Sequence, residues 1–63
     1  MRRRYWQARD RTIEELVLKL SEETGEVSKA YLLNDSKALL REVEHVGVVQ
    51  RALERKITEV ITQ

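Results

Sequence analysis

The chain has no cysteine, no proline and no phenylalanine, and its 63 residues include only two glycines. Without cysteine there are no disulfide staples and no thiolate-based zinc site. Without proline, and with glycine only at positions 25 and 47, little in the composition interrupts a long helix. No apolar run approaches the roughly 20 residues of a membrane span, and the Arg-rich start is not followed by an apolar signal region. A cytoplasmic protein that does not enter membranes is expected. Glycine-rich phosphate loops, Ser or Cys nucleophile constellations and zinc-finger spacings are missing, as are internal repeats, low-complexity tracts and linkers. An overall excess of one charge is lacking too: 12 Lys and Arg face 11 Asp and Glu, for a net charge of +1. The basic residues are nonetheless uneven, since Arg2, Arg3, Arg4, Arg9 and Arg11 all fall in the first eleven positions.

What is present is 37% charged residues with abundant Leu, Glu, Lys, Arg and Ala, a helix-forming composition that predicts an all-α protein. Residues 1–63 are expected to form one domain. A chain this short buries only about 60% of its unfolded surface, so oligomerisation is the expected support for its core. Residues 1–11 read as a basic and aromatic N-terminal arm or short helix. There Tyr5 and Trp6 are expected to pack over the end of the helical core, with the arginines solvated around them. Nucleic-acid binding through Arg2, Arg3, Arg4 and Arg9 is the weaker alternative, because no further basic face accompanies them.

Thr12-Ile13-Glu14-Glu15 matches a capping box and opens a first helix over 12–34. Its apolar stripe is Ile13, Leu16, Val17, Leu20, Val27 and Tyr31, interrupted by Thr24, while Leu18, Leu32 and Leu33 fall outside it. Asn34-Asp35-Ser36 is the one clear break: Asn tolerates the left-handed conformation and Asp or Ser caps the next helix. That second helix, over 35–62, carries Leu39, Val43, Val46, Leu53, Ile57 and Val60 or Ile61, interrupted by Gln50. Thr24 and Gln50 are expected to set register or oligomeric state from within the stripes, and Gly47 to allow close helix approach. An antiparallel pair leaves each helix half covered. Homodimerisation into a helix bundle would complete it.

Within this hairpin the acids are patterned. Glu23 and Glu26 are three apart, as are Glu42 and His45, so each pair shares a face of its helix. Counted outward from the turn, Glu26 matches Glu42 and Glu23 matches His45, on the same outer side. Clustered carboxylates repel unless a cation sits among them, and a hard divalent ion that keeps waters and substrate phosphates suits such a face. The plain alternative is a solvated acidic flank balanced by Lys19, Lys29 and Arg41. A lone histidine in this position more often hydrogen-bonds a neighbour such as Glu42 or Glu26 than ligates metal.

Glu22-Glu23-Thr24-Gly25-Glu26, fifteen residues, then Glu42-Val43-Glu44-His45 resembles the Glu-Glu-x-x-Glu … Glu-x-x-Asp signature of MazG-type nucleoside triphosphate pyrophosphohydrolases. The likeness is densest over Lys19 to Ala30 and extends from about Ile13 to Val49. It implies Glu23, Glu26 and Glu42 as Mg²⁺ ligands, with His45 at the signature's aspartate position and Glu22 as an adjacent ligand or water-orienting acid. It also implies hydrolysis of a nucleoside triphosphate between the α- and β-phosphates. Imidazole suits Mn²⁺, Zn²⁺ or Ni²⁺ better than Mg²⁺, and the family has further helices that this chain lacks. The alternative is therefore a metal-free interaction or regulatory module of bacterial or phage type that keeps the fold without the chemistry. It would offer Leu18, Leu32, Leu33 and the Arg-rich arm to a protein partner.

Overall fold

The computed structural model describes residues 11–62. Two helices, α1 (Ile13–Leu32) and α2 (Ser36–Ile61), account for almost all of them, and no strand occurs among the described residues. The all-α class expected from composition and the hairpin expected from the Asn34-Asp35-Ser36 break are observed. The predicted arm, with Tyr5, Trp6 and all its arginines except Arg11, lies outside the described residues.

Each helix end follows from local chemistry. Thr12 Oγ1 accepts the Glu15 amide at 3.1 Å while Glu15 Oε1 accepts the Thr12 amide at 2.9 Å, so two amides with no partner in the helix are satisfied reciprocally. Hydrogen bonding from the Thr12 backbone, more than the nearby Arg11 charge, holds the Glu15 carboxyl below its ordinary value. At the other end Asn34 has φ 58°. The Asp35 amide donates to the Ala30 carbonyl at 3.1 Å and the Asn34 amide to that of Tyr31 at 3.0 Å, which is the paired bonding of a Schellman motif. Asp35 then serves the next helix, its Oδ1 accepting the Ala38 amide at 3.0 Å. One residue thus closes α1 and caps α2, and the chain reverses within three positions.

The helices pack through a narrower and rotated seam than the apolar pattern predicts. On α1 the covered positions are Ile13, Leu16, Lys19, Leu20, Glu23, Val27 and Ala30, which apart from Lys19 alternate by three and four. On α2, Val49 and Ala52 are buried, with Leu39, Glu42, Val46 and Leu53 partly covered. Leu16, Val49 and Ala52 form the core, with Leu20 and Leu53 packed against it. The predicted stripe members Val17, Tyr31, Val43 and Ile57 instead stand 46, 71, 50 and 40% exposed. Small Ala30 and Ala52 are both buried on this line, on the alanine side of a broad apolar arc.

Thr24 and Gln50 are accordingly exposed rather than buried. The Thr24 hydroxyl donates to the Leu20 carbonyl at 2.7 Å and the Gln50 amide to Glu54 at 3.3 Å. Gly47 plays no part in close approach: a Cβ there would meet only the Arg51 guanidinium, at 3.4 Å, on its own helix. Gly47→Ala is expected to stabilise the fold by roughly 0.5–1 kcal/mol, since glycine gains nothing from its freedom in mid-helix. A raised melting temperature would show it; a lowered one would mean that the position is sterically committed.

Candidate functional site

The seam explains how the acids meet. Glu23 lies three residues after Leu20 and four before Val27, inside the three-and-four alternation, so packing carries it to the edge of α2. Its side chain is only 12% exposed. Glu42, from α2, is 20% exposed and faces it, and His45, one turn on, is 50% exposed. One ligand-capable atom from each of Glu23, Glu42 and His45 lies within 4.8 Å of the others.

His45 Nδ1 is 3.1 Å from Glu42 Oε1 and 3.8 Å from Glu23 Oε1. With a proton on Nδ1 the ring donates to Glu42, as expected of a lone histidine beside a carboxylate. Glu23 presents its other oxygen, Oε2, to Lys19 Nζ at 3.4 Å, and Lys19 also donates to Glu22 Oε1 at 2.8 Å. Hydrogen bonding to Glu22, reinforced by the Glu22 and Glu23 charges, holds the Lys19 ammonium above its ordinary value against the opposing effect of desolvation.

Of the five sequence-predicted site residues, three converge and two stand apart. Glu26 is exposed and outside the Glu23–Glu42–His45 group. Three residues beyond Glu23 is about 60° further round the helix, enough to leave the seam. Glu22 is paired with Lys19, its side chain 60% exposed. Lys19 is legible in the sequence only as a balancing cation. Its spacing of three and four from Glu22 and Glu23 is the signal that it joins the cluster directly.

Chemically the group offers two carboxylates and one imidazole on an open edge. That donor set fits Mn²⁺ or Zn²⁺ more naturally than an all-oxygen Mg²⁺ shell. No protein-family model, curated protein or solved structure matches the chain. No helix of the described residues is long and apolar enough to cross a membrane.

Proposed function

We propose that the hairpin binds a divalent cation through Glu23, Glu42 and His45 and presents it to a nucleoside triphosphate for pyrophosphohydrolysis, with Mn²⁺ favoured over Mg²⁺. The observation that carries this reading is the convergence of the three donor atoms within 4.8 Å. The signature-like spacing of Glu22, Glu23, Glu26, Glu42 and His45 supports it. A bound cation would neutralise the crowded carboxylates and lower the pKa of a water. Glu23 and Glu42 would hold the charge against the phosphates, and His45, with Nδ1 deprotonated, would complete the shell. Glu26, exposed on the same side, reaches toward a second cation or the phosphates, and Glu22 orients water once Lys19 releases it. The water oxygen bonds to phosphorus as the α–β bridge breaks, giving a nucleoside monophosphate and pyrophosphate.

The test is phosphorus NMR of a nucleoside triphosphate incubated with the full chain and Mn²⁺. Monophosphate and pyrophosphate should appear in equal amounts, and Glu42→Gln should lose most of the rate. Release of orthophosphate instead, or no turnover with any divalent ion, would reject the reaction.

A second reading has its own observation. Lys19 pairs with both Glu22 and Glu23, so Glu23 already has a counter-ion in an ion-pair network that needs no metal. Leu18, Leu32 and Leu33 are 63, 79 and 68% exposed, as a module that binds a protein partner requires. A folded chain that ignores divalent ions would favour it.

A further inference from the structure

We infer that a second copy of this chain packs on the side of the hairpin that carries Val17, Tyr31, Val43 and Ile57, leaving the acid cluster open on the other side. At about 100° per residue, Val17 and Tyr31 are displaced from the α1 seam in one angular sense, and Val43 and Ile57 from the α2 seam in that same sense. In an antiparallel pair the same sense falls on the same side. Glu23 and His45 are displaced the opposite way, so the hairpin has an apolar side and an acidic side.

Four features of the apolar side point to a copy of itself as its occupant. The first is exposure: its four large side chains are 40–71% exposed, while the buried residues among those described are Leu16, Ala30, Val49 and Ala52.

The second is charge. In a chain with 37% charged residues, the positions interleaved on this flank are Ser21, Thr24, Ser28 and Gln50, with Glu54, the hydrogen-bond partner of Gln50, as its one carboxylate and Glu14 at its rim. A surface with so little charge has no strong sign with which to select an acidic or basic partner. It satisfies the self-complementarity of a two-fold interface, where each patch meets itself. Thr24 and Gln50 bring their hydrogen-bond partners with them, which limits the cost of covering them.

The third is shape. Val27, Ser28, Tyr31, Leu32 and Leu39 line an open groove of about 490 Å³ at the turn end of the same side, a recess for side chains of the facing copy.

The fourth is area. Two helices about 10 Å wide and roughly 30 Å long present about 600 Å² per copy, or about 1,200 Å² for the pair. That reaches the lower bound of a specific interface.

The inference goes beyond the metal-binding reading and does not depend on it. Its test is the solution mass of the full chain by light scattering across a concentration series. Twice the 7.5 kDa chain mass is expected, with Val43→Asp falling to one chain mass and Glu42→Gln keeping the dimer. Val43 is half exposed in the hairpin, so its replacement spares the hairpin core. If Val43→Asp nonetheless loses helicity, Tyr31→Ser reads the same face more gently and should raise the dimer dissociation constant roughly tenfold or more. A parent mass of one chain at millimolar concentration overturns the inference, as does an unchanged dissociation constant in Tyr31→Ser. A chain that dimerises yet ignores Mn²⁺ rejects the metal site alone, and the reverse result rejects the interface alone.

Discussion

Leu16→Ala is expected to cost about 3 kcal/mol of stability, at the lower end of what truncating a buried leucine costs. Leu16 is 0% exposed and, among the described residues, is the one large side chain that is fully buried. It touches the centre of the seam with Val49 and Ala52. Those neighbours are too small to collapse into the space left behind, so the lost transfer energy is compounded by a cavity. A chain this size rarely has more than about 3–5 kcal/mol in total, so the variant should be largely unfolded at room temperature. Leu18→Ala is the matched control: at 63% exposure the same change should move stability by no more than about 0.5 kcal/mol. Urea unfolding followed by helicity, at one fixed protein concentration, compares the two. Equal costs would mean that the seam is not where the fold is held.

The second large effect concerns the acid cluster. Glu42→Gln keeps the shape of the side chain and removes its charge. Glu42 is the carboxylate that both faces Glu23 and holds the His45 ring at 3.1 Å. Even partners that only orient a ligand cost about 10–100-fold in metal affinity when removed, so Mn²⁺ affinity should fall at least about tenfold. Glu26→Gln, outside the cluster, should change it far less. Glu23→Gln should resemble Glu42→Gln with an added effect on Lys19, which would keep only Glu22 as its partner of the two. Calorimetric titration ranks the three variants. A ranking in which Glu26→Gln is the most damaging would move the cation to the outer flank of α1.

Much of the fold is written in single residues. Thr12 and Glu15 announce the start of α1 because only that pairing satisfies two amides at once. Asn34 announces its end because few other residues accept a positive φ, and Asp35 announces α2. These are local signals, decided within four positions. The rotation of the helices about their axes is not local. The apolar arc of α1 is wide enough that both the Leu16 side and the Val17 side read as core, and the choice rests on where the two backbones can come closest. Ala30 and Ala52 lie on the buried side, yet alanine contributes little to a hydrophobic pattern.

The same rotation decides which of the patterned residues converge. Spacing alone places Glu23 and Glu26 together as a pair, and Glu42 with His45. Only the seam distinguishes Glu23, drawn against α2, from Glu26, left in solvent. Lys19 shows the complementary limit. Its spacing from Glu22 and Glu23 permits an ion pair, but the distances of 2.8 and 3.4 Å turn a permitted partner into the cluster's own counter-ion. A divalent cation at the proposed site would share Glu23 with an ammonium already in place on its other oxygen.

The central claim is that Glu23, Glu42 and His45 form one cation site, and titrating the full chain with Mn²⁺ while following its amide resonances tests it most directly. The paramagnetic ion should broaden the resonances around Glu23, Glu42 and His45 first, on both helices together, and Glu42→Gln should abolish that pattern. Broadening spread over all exposed acids, or none at millimolar Mn²⁺, would contradict the site and leave the cluster as an ion-pair network that fastens the hairpin.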